Sequence, residues 1–427
     1  MKRNVSLAVL LAIFASVAYA GNPNPVAVST FTCAGGTGLC PNGGAPNSLI
    51  QGSDGNFYGT ATVSAEGGTA LGGTVFSLTP AGTLKVLHTF VAGPNKDYAN
   101  GNVPVSLTEG PDKKLYGYTT FGGIGGCNGE CGFGVLYRVN TDGSGFEVIQ
   151  KFCSTGCGFF RPALTSMVAA KDGNLYGTIN AAPPSIFRVT PSTGAYDIVS
   201  NLQSGGFPSP LTLAPDGTLY GMTLGTAPAV LFNYSPATGN LKAAAVNFPL
   251  IHGLAHSGPA SRLTFGPNGN PYGLYEIYAT NGAGLFEVAS DGSHLKLFPF
   301  DTTLTRAGTQ DGLMLASDGN FWMAESTGGS NYYGDIISLS PGSGTLRKTF
   351  MPFGRTATVG AYPAMLVQAK DGSLWGSASE FGTAPKGRFA AGTIFKLKAG
   401  LPPRVMRGQE HVKKLGSRVS TSFGAKN

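Results

Sequence analysis

An all-β fold, a seven-bladed β-propeller built of four-stranded antiparallel blades, is predicted by three features of this 427-residue sequence. The composition favours turns, with 65 Gly and 28 Pro against only 12% charged residues, so helix signals are few and 42% hydrophobic residues remain for a core. A short motif recurs along the chain: an Asp or Asn, usually followed by Gly, with an aromatic residue four positions after the acid or amide. Successive copies lie 58, 60, 44, 52, 50 and 53 residues apart, the spacing of propeller blades with variable loops.

The seven copies are Asp54 with Tyr58, Asp112 with Tyr116, Asp172 with Tyr176, Asp216 with Tyr220, Asn268 with Tyr272, Asp318 with Trp322, and Asp371 with Trp375. Each unit reads as four strands. The first is a short apolar run such as Leu49-Ile50, Met167-Val168 or Leu366-Val367. Asp-Gly then suits a two-residue hairpin turn with positive φ angles. The second strand carries the aromatic, usually followed by Gly. Adjacent large residues such as Phe57 and Tyr58 should face opposite neighbouring blades. The third strand runs through segments such as Thr74 to Leu78, Ser185 to Val189 and Thr393 to Leu397, and the fourth through Leu84 to His88, Tyr196 to Val199 or Leu346 to Phe350. The repeated Asp is read as a turn former, because Asp tolerates the backbone angles and bonds its own turn. The repeated Tyr and Trp are read as core.

The seventh unit lacks a fourth strand, since Leu397 to Gly400 leads into Pro402-Pro403. Val26 to Phe31, before the first copy, has a fourth-strand pattern. The N-terminal strand is therefore expected to complete the last blade and close the ring, which removes the exposed edges of an open stack.

Residues 1–20 read as a signal peptide: Lys2-Arg3, an apolar run from Val5 to Val17, and the small-residue end Ala18-Tyr19-Ala20. The run is too short for a membrane span. The propeller is assigned to 21–403 and a basic, flexible tail to 404–427. The expected location is thus secreted, periplasmic or extracellular, with the mature chain a soluble monomer. Six cysteines fit an oxidising compartment. They form three close couples, Cys33 with Cys40, Cys127 with Cys131, and Cys153 with Cys157. Local disulfides are expected, with bridges between the second and third couples or a four-thiolate zinc site as alternatives. The formal net charge is +7, but Lys2 and Arg3 lie in the leader, and Arg404, Arg407, Lys413, Lys414, Arg418 and Lys426 face only Glu410 in the tail. The body is neutral, which argues against nucleic-acid binding.

The run Gln51-Gly52-Ser53-Asp54-Gly55-Asn56-Phe57-Tyr58-Gly59-Thr60, then Gly73-Thr74-Val75-Phe76-Ser77-Leu78-Thr79-Pro80 and Leu84 to Phe90, resembles the GloVer tandem repeat of secreted bacterial proteins. The likeness is close in the first unit and looser to about residue 399. It implies a propeller-like repeat fold and carries no established reaction with it.

In a propeller, the loops from second to third strand and those between blades leave one face. Here they are the long ones, and that face is the expected binding face. Candidate ligand residues are Phe159, Phe160, Tyr275, Tyr278, Tyr332 and Tyr333, within a wider set of loop aromatics that includes Tyr98, Phe121 and Phe381. They suit stacking on sugar rings or anchoring a protein partner. The leading expectation is a binding module for a polysaccharide or an extracellular protein. The alternative is a propeller enzyme, of polysaccharide lyase or glycoside hydrolase type, acting at the central axis through a pair of carboxylates or a His with a carboxylate. Candidate acids are Glu66, Glu109, Glu130, Glu276, Glu325 and Glu380. His252 and His256 have a zinc-like spacing, but the surrounding Gly and Pro and the lack of an accompanying Glu argue against a metal site. His88 and His294 are read as surface residues on outer strands. No Gly-rich turn leads into a helix, so no phosphate loop and no cofactor are expected.

Overall fold

The computed structural model describes residues 24–404, apart from 36–38, 64–70, 92–97, 124–131, 153–162, 182, 203–205, 225–227, 252–254, 260, 278–281, 301–311, 328–331, 344–345 and 351–352. Seven antiparallel sheets follow one another along the chain and form a ring. Blade 1 pairs Gly44–Gln51, Phe57–Val63, Leu71–Leu78 and Leu84–Thr89 in that order, from the axis outward. Blade 7 pairs Ala361–Gln368, Leu374–Glu380 and Arg388–Leu397, and its outer strand is Val26–Ala34. The register runs from Val26 opposite Lys396 to Ala34 opposite Arg388. The N-terminal strand thus closes the ring, as its apolar pattern predicts.

The hairpin that organises each blade differs from the expected two-residue turn. In blade 1 the Gly55 N–H donates to Gly52 O (3.0 Å) and the Gly52 N–H to Asn56 O (2.8 Å). Ser53 and Asp54 form a type I turn, and only the next residue, Gly55, is left-handed, at φ 91°. The reason lies in the acid. Asp54 Oδ1 accepts the Asn56 N–H (3.0 Å), while Oδ2 accepts the Tyr58 hydroxyl (2.7 Å). The same tyrosine bond recurs in Tyr116 to Asp112 and Tyr176 to Asp172, and Trp322 Nε1 donates to Asp318. The spacing of four therefore places a half-buried hydroxyl or indole against a turn carboxylate.

The two-faced packing of the second strand is as expected. Phe57 stacks on Trp375 of blade 7 at 4.1 Å, whereas Tyr58 packs with Leu107 and Leu115 of blade 2. The glycine after the aromatic has a separate role. Gly59, Gly117, Gly177, Gly221, Gly273 and Gly376 lie opposite Phe76, Tyr137, Phe187, Phe232, Phe286 and Phe395 on the third strand. Each ring covers the space that a Cβ would fill; at Gly177 that atom would sit 2.5 Å from Phe187 Cζ. Blade 6 reverses the exchange, with Met323 opposite Ile337. Gly177→Ala is expected to destabilise the chain by about 1–3 kcal/mol through overpacking. Adding Phe187→Ile should recover part of that loss in thermal melts; equal losses in single and double variants would contradict the pairing.

Neighbouring blades are tied near the axis by threonines of the innermost strands. Thr108 Oγ1 donates to Met167 O, Thr212 Oγ1 to Leu263 O and Thr264 Oγ1 to Leu313 O. Of the cysteine couples, Cys33–Cys40 forms a disulfide, joining the closing strand to the loop before blade 1. Cys127, Cys131, Cys153 and Cys157 lie outside the described residues, as do residues 1–23 and nearly all of the basic tail. No described helix is long and apolar enough to cross a membrane.

Candidate functional site

Aromatic side chains gather on the long-loop face where blade 6 meets blade 7. Tyr332 and Tyr333 immediately precede the third strand of blade 6, Asp335–Leu339. Tyr362 is the second residue of the first strand of blade 7, and Phe381 directly follows that blade's second strand. The Tyr362 N–H donates to Tyr333 O (2.8 Å), which locks the two segments together. The Tyr333 ring lies 5.9 Å from that of Tyr362 and 6.4 Å from that of Phe381, and the exposed Arg355 guanidinium sits 5.7 Å over the Phe381 ring. Tyr333 also packs on the core, whereas Tyr332 is 71% exposed. The sequence points to Tyr332, Tyr333 and Phe381 but misses Tyr362 and Arg355, which come from a strand end and a blade connection.

The backbone of this patch is strained. Tyr332, Tyr362 and Phe381 have φ of 59°, 56° and 59°, a region that bulky residues seldom enter. Tyr362 shares its conformation with Ala45 and Val103, each before a proline at the start of a first strand, so it belongs to the repeat. Phe381 is different. It makes the same parallel bridge that Gly122 makes in blade 2, where glycine takes φ 89° without penalty. A phenylalanine held where glycine suffices costs about 1–3 kcal/mol and points to a use for the ring.

Tyr275 is corrected. It is 1% exposed, lies in the second strand Pro271–Ile277, and fills the space opposite Gly284. The strand continues past the point where the sequence suggests a loop, and alternation turns this ring into the core. Tyr98 is likewise buried, and Phe121 is half-buried. Phe159, Phe160 and Tyr278 lie outside the described residues.

The acids and histidines are dispersed. Glu109 accepts the Ser53 N–H (2.8 Å) and hydroxyl (2.7 Å), tying blade 2 to the blade 1 hairpin. Glu325 and Asp335 are cross-strand partners in blade 6, 0% and 1% exposed, and both Glu325 oxygens and Asp335 Oδ1 lack hydrogen-bond partners. Burial and the adjacent Asp335 carboxyl raise Glu325 to about 9, and burial raises Asp335 as well. These acids are sealed between blades and do not line the axis. His88 is not an ordinary surface residue: it stacks on Phe146 at 3.6 Å, and burial lowers it to about 4. His252, Glu66 and Glu130 lie outside the described residues, among which no cluster of metal-ligating side chains occurs.

The axis itself holds two connected spaces. The wider, about 710 Å³, opens among the hairpin turns, on the face opposite the long loops; its walls include Val168, Leu213, Phe265 and Met314, with Pro402 and Arg404 at the mouth. The narrower, about 190 Å³, lies deeper and is lined by Ser48, Ser106, Ser166, Arg262 and apolar residues. No carboxylate or histidine lines either space among the described residues.

No protein-family model matches the chain, and no curated protein is similar to it. Solved structures are similar in fold. One is a catalytically inactive histidine-to-alanine variant of virginiamycin B lyase from Staphylococcus aureus with quinupristin, at 15% identity and a TM-score of 0.54, covering 83% of this chain and 95% of the lyase. Another is PorZ, an essential surface component of the type-IX secretion system of Porphyromonas gingivalis, at 15% identity and a TM-score of 0.50, covering 82% of this chain and 46% of PorZ. At such identity the likeness concerns the fold alone. The class is thus a seven-bladed β-propeller.

Proposed function

We propose that this protein is an exported binding module with repeats of the GloVer type, and that it recognises a polysaccharide on its long-loop face. The observation that carries the reading is the patch of Tyr332, Tyr333, Tyr362 and Phe381 beside Arg355 at a blade junction, with Tyr332 and Arg355 exposed, the other rings half-buried, and Tyr332, Tyr362 and Phe381 held at positive φ. Flat aromatic faces stack on the apolar faces of sugar rings, and a guanidinium pairs with their acidic or hydroxyl substituents. The leader-like N-terminus and the Cys33–Cys40 disulfide support an oxidising location. An axial lyase or hydrolase requires an acid/base pair at the axis, and the serine, arginine and apolar lining found there favours the binding reading.

Polysaccharide affinity electrophoresis and a glycan array test the proposal. Tyr332→Ala with Phe381→Ala is expected to weaken binding by about tenfold or more, with the fold retained. Equal binding by wild type and double variant would rule out the patch, and a protein partner captured in place of any glycan would overturn the substrate class.

A further inference from the structure

The residue six positions before the hairpin Asp or Asn occupies the same level of the innermost strand in every blade. Around the ring these residues are Ser48, Ser106, Ser166, Pro210, Arg262, Gly312 and Met365. All but Pro210 line the narrow axial space. The layer therefore contains one cation, no acid and three serine hydroxyls. Gly312 makes room for the arginine: a Cβ there would lie 3.2 Å from Arg262 Cγ. Among the described residues the guanidinium of Arg262 makes no hydrogen bond or ion pair. Thr60 Oγ1 gives its one proton to Asn47 Oδ1 (2.6 Å), so the Ser48 hydroxyl is engaged with Thr60 (2.9 Å), while Ser106 and Ser166 have no side-chain hydrogen-bond partner among the described residues. Arg262 also borders the wider space, so it stands at the junction of the two.

A half-buried guanidinium with unused donors, set in a ring of hydroxyls, is arranged for an anion. The wider space is of ligand size, and its walls combine apolar side chains such as Leu213, Phe265 and Met314 with polar surface in about equal share. We infer that the axis binds a small organic carboxylate: the carboxylate sits on Arg262, within reach of the serine hydroxyls, and the apolar body fills the space between Leu213, Phe265 and Met314. The ligand enters from the hairpin face, past Pro402 and Arg404. This site is separate from the aromatic patch, and either can fail without the other.

Benzoate serves as the probe and neutral benzamide as its control, measured on the intact chain by titration calorimetry and thermal shift. Benzoate is expected to bind saturably and to raise the melting temperature, whereas benzamide does neither. Arg262→Gln should weaken benzoate by about tenfold or more while leaving the ligand-free melting temperature near wild type, and Arg262→Lys should retain part of the affinity. Asp311, outside the described residues, is the acid closest in sequence to a member of this layer, being adjacent to Gly312. Asp311→Asn should bind benzoate as wild type does; binding that appears only in this variant would mean that the chain neutralises Arg262 itself and would overturn the inference. So would equal binding of benzamide, an unchanged affinity in Arg262→Gln, or phosphate binding without benzoate binding.

Discussion

Deleting residues 24–32 is expected to lower the melting temperature by more than about 10 °C and to promote aggregation. The strand Val26–Ala34 forms the outer edge of blade 7, and Phe31 within it is fully buried. Its ring meets Phe76 of blade 1 at 5.1 Å and packs in one cluster with Phe57, Trp375 and Ile394. Loss of Phe31 alone should cost about 3–5 kcal/mol, which Phe31→Ala would isolate. Loss of the backbone ladder adds to this and leaves Arg388–Leu397 as an unpaired edge. Because the strand bonds the last blade and packs on the first, its removal opens the ring at the junction that the chain crosses only through this strand. Thermal melts of the truncated and intact proteins decide the matter, and a difference of only one or two degrees would show that the ring holds without its closing strand.

That junction was legible in the sequence because strand patterns are local. Val26 to Phe31 alternates as a fourth strand does, and the last unit visibly lacks one. The hairpin period was legible for the same reason, since the acid and its aromatic partner lie within one turn and strand. Relations across variable loops were not. Gly177 and Phe187 face each other, but the loops that separate such pairs change length from blade to blade, so the glycine looks like a flexible position rather than the seat of a ring. The sequence alone reads Tyr275 as a loop aromatic, whereas the paired strand continues to Ile277 and carries it inward. The cluster at blades 6 and 7 combines residues from a loop, a strand start and a blade connection, and no linear spacing joins Tyr332 to Arg355. Arg262 had a usable signal, its fixed distance from Asn268, but this becomes informative only once that register is known to reach the axis.

Glu325 shows what such a hidden pairing does to stability. An unfolded Glu titrates near 4.5, whereas the folded side chain, buried against Asp335, is raised to about 9. The folded state therefore holds the proton more tightly. Its stabilising effect is complete below about pH 4.5 and is lost as pH rises towards 9, so the wild type should become steadily less stable across that window relative to a variant without this carboxyl. Glu325→Gln removes the titration and supplies an amide N–H that can donate to the Asp335 carboxylate. The variant is expected to be more stable than wild type by on the order of 3 kcal/mol at pH 7 and to match it near pH 4. Asp335 is also raised by burial, so a part of the slope should persist in Glu325→Gln and be removed in the double variant with Asp335→Asn. Denaturant midpoints measured from pH 4 to 9 provide the check: converging curves at low pH carry the assignment, and parallel curves would show that the two carboxyls are not buried against each other in solution.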